Sequence, residues 1–157
     1  MRRKDREITG REAMEAILCQ TSVCRLALNA ENGAPYLVPL CFGYEWLQGD
    51  RLRLVFHGAM EGRKLRLLRA DPRVGFELDA GYELLPARTA CRHSCRFASL
   101  IGTGTARLLT DDSEKRRAAA LLMNHLVGAR APLEERALEN VVFFEVVADE
   151  LTAKQNM

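Results

Sequence analysis

From Tyr36 to Trp46 large and small side chains alternate without a break. Tyr36, Val38, Leu40, Phe42, Tyr44 and Trp46 take one parity, and Leu37, Pro39, Cys41, Gly43 and Glu45 take the other. A period of two is that of a β-strand with one face on a core. The same logic predicts strands at Arg51–His57 and Val74–Leu78; strands are also expected at Val23–Leu28 and Phe97–Leu109, and Val141–Ala148 reads as a buried-type strand. Asn29–Pro35, with its Asn32-Gly33 pair, reads as a hairpin turn, and Leu47–Asp50 as a second turn.

A period near 3.6 appears in other places. Met14, Ile17 and Leu18 follow a Thr9-x-x-Glu12 capping box, which predicts a short helix ending near Thr21. Glu61–Asp71 predicts a second helix, stopped by Pro72. Ala118, Leu121, Leu122, His125 and Leu126 form the strongest helical stripe, opened by Asp111 and Glu114 and ended by Gly128. Pro132 suggests a further short helix at Leu133–Leu138. Gly81–Arg96 shows no clean period and reads as a long connection. Gly102 and Gly104 inside a predicted strand suggest a bulge or a close backbone approach.

Helices do not alternate regularly with strands, so a parallel sheet is not indicated. The expected fold is mainly β: an antiparallel sheet or small barrel of about six strands, with helices packed outside. The 157 residues are expected to form a single domain, 1–157, with residues 1–8 as an N-terminal arm and 150–157 as a polar tail.

Composition narrows the functional classes. Hydrophobic residues make up 48% and charged residues 28%, which is ordinary for a globular domain. The net charge of +2 is spread without a long basic run, so nucleic acid is not an expected partner. No apolar stretch is long enough to span a membrane, and the N-terminus lacks an apolar segment after its charges. A cytoplasmic location and free thiols at the five cysteines are therefore expected.

Four features could carry chemistry. "FHGAMEGRKL" (Phe56–Leu65) joins a strand to a helix through His57, Gly58, Gly62, Arg63 and Lys64. Free N–H groups at a helix start, glycines and cations suit an anion, phosphate above all. A plain turn with a solvated basic face is the competing reading. Pro39 interrupts a strand, which places it on an edge or at a bulge and leaves neighbouring polar groups for a ligand or for water. Cys91, His93 and Cys95 lie close together but lack the second ligand pair of a zinc site, so no metal is expected. His125 sits on an apolar stripe and reads as a core or interface histidine with one hydrogen bond. No P-loop, nucleophile elbow, zinc-protease or dinucleotide motif occurs.

The segments "PYLVPLCFGYE", "VFHGAMEGRKLRLL", "FASLIGTGTARLL" and "VVFFEVVADELTAK" occur in one order over nearly the whole chain. Together they resemble the FMN-binding split-barrel proteins of the pyridoxamine 5′-phosphate oxidase-like superfamily, and more narrowly the nitroimidazole-resistance branch. The chain departs from that pattern at Cys41, Phe97 and Ala153. The resemblance implies a six-stranded antiparallel Greek-key split barrel with flanking helices, forming a homodimer with FMN at the interface. It implies that Val38, Pro39 and Leu40 present backbone to the flavin edge, and that Phe56 and His57 line the ring or ribityl side. Gly62, Arg63 and Lys64 would hold the phosphate, and Ser99 would reach the cofactor. It also implies an FMN-dependent oxidoreductase acting on small electron-poor compounds such as nitroimidazoles, with His57 as the catalytic proton donor or substrate contact. Two alternatives stand beside it: a haem-binding or haem-degrading split barrel with His57 as axial ligand, and a non-catalytic FMN-binding protein.

Overall fold

The computed structural model describes residues 3–128 and 138–156. Its strands are β1 (Glu7–Ile8), β2 (Val23–Asn29), β3 (Pro35–Cys41), β4 (Gly43–Leu47), β5 (Arg51–Gly58), β6 (Arg73–Leu85), β7 (Ser94–Leu109) and β8 (Val142–Asn156). The helices are α1 (Arg11–Gln20), α2 (Arg63–Ala70) and α3 (Asp112–Val127). One antiparallel sheet runs in the order β3-β2-β6-β7-β8-β5-β4, and β1 is added to the far end of β8. Contact between β3 and β5 brings the two ends of the path together, so the sheet curls into a split barrel with helices outside.

Among the described residues eight strands replace the expected six, for identifiable reasons. The alternating run at 36–46 is two strands rather than one. β3 pairs with β2 at one edge of the path, and β4 pairs with β5 at the other. Phe42 is the crossing point and is fully buried. Because Phe42 keeps the parity of the run, alternation carries no trace of the change of partner. At Gly43 an added Cβ would lie 2.4 Å from the Leu122 backbone nitrogen, so α3 packs directly on the start of β4. The eighth strand is β1, formed by the predicted N-terminal arm.

Half of the long connection expected at 81–96 is strand. β6 and β7 continue as a two-stranded ribbon, pairing Glu83 with Arg96, Leu84 with Cys95 and Leu85 with Ser94 beyond an irregularity after Ala80. Tyr82 and Leu84 are exposed on it. A ribbon without a buried face does not alternate, which hides it from a hydrophobic pattern. The predicted polar tail is likewise strand: β8 continues to Asn156 and pairs with β7 along its length.

Gly102 and Gly104 serve close approach. A Cβ on Gly102 would meet the Phe76 ring at 2.3 Å, and one on Gly104 would meet the Val147 carbonyl oxygen at 2.4 Å. A register shift against β8 falls between Thr103 and Gly104.

The helix signals have mixed outcomes. Asp111 caps α3, its Oδ1 accepting from the Ser113 and Glu114 backbone N–H groups at 2.8 and 3.1 Å. The Thr9 capping box does not form: Gly10, at φ 96°, is the N-cap of α1 and no side chain caps it. The helix expected at Leu133–Leu138 falls, apart from Leu138, outside the described residues.

The barrel interior is filled by Leu26, Leu54, Phe56, Leu78, Leu100 and Phe144 among others, with the Phe56 and Phe144 rings stacked at 5.1 Å. A smaller cluster of Val55, Leu109, Ala118, Leu122 and Phe143 seats α3 on the outer face of β5 and β8. Fully burying one such large side chain stabilises by about 1.5–3 kcal/mol. Among the described residues no helix is long and apolar enough to cross a membrane.

Candidate functional site

The strand-to-helix junction at Phe56–Leu65 is built by the end of β5 and the first turn of α2. Strand parity turns Phe56 into the core, where it is fully buried, and sends His57 out. His57 is exposed and pairs with Phe143 of β8, the ring centroids 6.2 Å apart. Phe56 therefore has only its backbone to offer at the surface.

After the turn, Gly62 is the N-cap of α2 at φ 136°, a conformation that favours glycine. It has no side chain to cap the helix, and no acidic residue lies in the first turn. The orphan N–H groups of a helix start attract anions. Arg63 and Lys64 occupy that first turn, which on dipole grounds alone is the unfavourable end for cations.

Neither cation is neutralised by a carboxylate among the described residues. Lys64 folds back over β5: a Cβ on Gly58 would lie 2.5 Å from its Nζ. The ammonium also lies 5.8 Å from the centre of the Phe144 ring. Burial holds its pKa below the ordinary lysine value. The Arg63 guanidinium lies 4.6 Å over the ring of Tyr36 on β3. Glu31, in the turn before β3, pairs at 3.8 Å with Arg66, one turn further along. An uncapped helix start with two unneutralised cations, one of them desolvated, is chemistry that fits a phosphate.

The Arg63–Tyr36 contact also brings the proline-bearing strand to this junction. β3 is an edge strand, the setting in which a residue without an N–H is tolerated. Val38 and Leu40 lean on the core beside Tyr36, while Leu37, Pro39 and Cys41 face outward. Arg25, Glu77, Leu37, Pro39 and Ile101 line a shallow apolar depression of about 630 Å³ on that outer face. Leu37 is 64% exposed and Ile101 49%, two bare apolar side chains on one face of the sheet with β2 and β6 between their strands.

Ser99 is not brought to the junction. Its register partner on β8 is Lys154, whereas that of His57 is Phe143, eleven residues away at the other end of the strand. The Ser99 hydroxyl is buried and has no hydrogen-bond partner among the described residues, which is rare for a buried polar atom.

Other candidates resolve into structure. His125 Nε2 lies 2.7 Å from the Thr21 carbonyl oxygen and its ring packs on Phe42 and Tyr44. His93 Nδ1 accepts from the Ala87 backbone N–H at 2.9 Å. All five cysteines are free. Among the described residues, no group of three or more histidine, cysteine or acidic side chains is placed to hold a metal ion.

The family model described as pyridoxamine 5′-phosphate oxidase matches residues 10–155. The chain belongs to the pyridoxamine 5′-phosphate oxidase family. Among curated proteins no significant match was found. Among solved structures, a candidate 5-nitroimidazole antibiotic resistance protein from Bacteroides thetaiotaomicron is 29% identical. Its match covers 95% of this chain and 86% of that one, with a TM-score of 0.81. A flavocytochrome from Azotobacter vinelandii is 23% identical over 100% of this chain and 72% of its own, with a TM-score of 0.78. An FAD- and haem-binding protein from Mycobacterium smegmatis is 23% identical over 96% of this chain and 73% of its own, with a TM-score of 0.77. At those last two identities the likeness is one of fold.

Within this family fold, sequence reasoning missed Tyr36 as a neighbour of the basic pair. The signal was present in the parity of Tyr36 with Val38, but one strand's pattern does not say which helix start it meets.

Proposed function

We propose that the chain is a flavoprotein that binds FMN, with the flavin phosphate at the start of α2. The observation that carries this reading is the pair of cations, Arg63 and Lys64, unneutralised among the described residues, at an uncapped helix start behind Gly62. Backbone N–H groups of the first turn and both side chains would hold the phosphate. The backbone of Val38, Pro39 and Leu40 would meet the flavin edge, and the backbone of Phe56 and the ring of His57 would border its other side. The bare outer face around Leu37 and Ile101 supports a homodimer in which a second copy covers it. In such a dimer Ser99, far from His57 along β8, would be supplied to the cofactor by the partner copy.

Bound FMN supplies two-electron transfer to an acceptor. The protein's own contribution is to bind, to orient and to deliver a proton, and His57, exposed and free of hydrogen-bond partners among the described residues, is suited to the last task. Small electron-poor compounds, nitroimidazoles included, are the proposed substrate class; the 29% identical relative supports that choice. The absorbance spectrum of the purified protein tests the reading. Flavin bands are expected, or a raised melting temperature on adding FMN; colourless protein that FMN does not stabilise overturns it. A second reading, haem held by His57, is favoured by the same exposed imidazole and would show as a Soret band.

A further inference from the structure

Arginine at an anion site is usually held by a carboxylate or left to wander. Arg63 is held in a third way. Its guanidinium lies over the face of Tyr36, 4.6 Å from the ring centre. Glu31, in the turn before β3, pairs instead with Arg66 of α2. Asp71, at the other end of the helix, is bonded to Arg73 and Asn29.

The difference matters chemically. A carboxylate would take two of the five guanidinium donors and cancel the charge. A ring face takes no donor and leaves the charge in place, while still limiting the swing of a long side chain. Tyr36 is itself fixed, because it lies on β3 opposite Leu28 and packs on the barrel core. The ring therefore ties a flexible cation on α2 to a rigid strand across the seam of the barrel.

We propose that Tyr36 is a positioning residue for the phosphate site: its ring sets Arg63 in place with all its donors available. The chain then discriminates flavin nucleotides from the unphosphorylated flavin through an aromatic residue that does not touch the phosphate. This inference rests on the flavin reading above.

The experiment compares FMN and riboflavin affinities, by fluorescence quenching, for wild type, Tyr36→Phe, Tyr36→Leu, Arg63→Ala and the Tyr36→Leu/Arg63→Ala double variant. Tyr36→Phe keeps the ring and is expected to bind FMN within about twofold of wild type. Tyr36→Leu is expected to lose roughly 3- to 10-fold in FMN affinity, the range of a partly exposed cation–π contact, with riboflavin affinity unchanged. The double variant is expected to match Arg63→Ala alone. Equal loss of FMN and riboflavin affinity in Tyr36→Leu, or no loss of either, overturns the proposal. Wild type that binds neither flavin overturns the flavin reading and this proposal with it; wild type that prefers FMN while Tyr36→Leu keeps the full preference overturns this proposal alone. Should Tyr36→Leu not fold, Tyr36→Met replaces it with the same expected outcomes.

Discussion

Arg53 on β5 donates through Nε to Glu145 Oε2 on β8 at 2.5 Å, and both side chains are buried. The pair is the centre of a chain of charges. Glu145 also accepts from Arg107 of β7 at 2.7 Å, and Arg53 bonds Glu45 of β4 at 2.5 Å. Arg107 continues to Glu114, and Glu45 to Arg117, both on α3. Four strands and a helix are thus tied by one network. Removing one partner of a buried pair leaves an uncompensated charge, which costs about 3–5 kcal/mol. Glu145→Leu is expected to lower stability by about that amount in urea denaturation. Arg53→Met/Glu145→Leu is expected to be more stable than Glu145→Leu alone; equal stability would mean the pair is not coupled.

Glu45 gives the network a pH dependence. Burial raises its pKa, but hydrogen bonds from Arg117 and Arg53, and their charges, outweigh burial and leave it below the ordinary glutamate value. A carboxyl depressed in the folded state contributes stability that is present above its unfolded pKa of about 4.5 and lost as pH falls through the lower folded value. Melting temperature followed from pH 7 downward should fall less steeply below pH 4.5 in Glu45→Gln than in wild type. Parallel curves would remove Glu45 from the acid response.

Two glycines that no side chain can replace without contact should fail differently. Gly104→Ala drives a Cβ into the Val147 carbonyl, a backbone atom that cannot yield, and should cost roughly 1–3 kcal/mol. Gly58→Ala meets only the ammonium end of Lys64, which is flexible. Stability should change by less than about 0.5 kcal/mol, while FMN affinity drops because Lys64 is displaced. Urea denaturation and an FMN titration on both variants separate the two effects.

Lys64 should show a conflict between stability and binding. Its pKa is lowered by burial in the folded state. Between the folded and unfolded values the unfolded chain binds more protons, so apoprotein stability should rise as pH climbs toward the unfolded value of about 10.5. Below the folded value the cost is fully present. Lys64→Met should abolish that rise and melt higher than wild type as apoprotein at pH 7. Its FMN affinity should fall roughly 10- to 100-fold, as expected for a charged hydrogen bond lost. A variant that binds FMN as wild type does would take Lys64 out of the phosphate site.

Much of the barrel was legible where one face is buried and the other is wet. β2 follows simple alternation, and α3 follows its stripe and its Asp111 cap. β5 alternates in sequence although α3 buries Val55 on its outer face, and the start of β8 reads as a buried apolar run because it is covered on both faces. What stayed hidden has physical causes. Phe42 keeps parity while the chain changes partners. The β6–β7 ribbon has no buried face to mark it. Thr9 satisfied a local capping rule that Gly10 overrode. At the site, Arg63 and Lys64 could be singled out because cations at a helix start are of the wrong sign. Their surroundings could not: a ring under one and a glycine under the other are set by where β3 and β5 meet. The separation of Ser99 from His57 depends on the whole length of β8, which pattern alone had ended at Ala148.

That length of β8 has a kinetic consequence. The strand lies between β7 and β5 and also carries β1, so the two halves of the sheet and β1 share no ladder until β8 is in place. During synthesis the growing chain must wait with open strand edges on β5 and β7. Folding is then closed by contacts of large sequence separation, which are slow to form and exposed to mispairing meanwhile. Disruption of Phe143–Val147, the part of β8 that pairs with both β5 and β7, would therefore act first on the yield of folded protein, ahead of any effect at the proposed phosphate site.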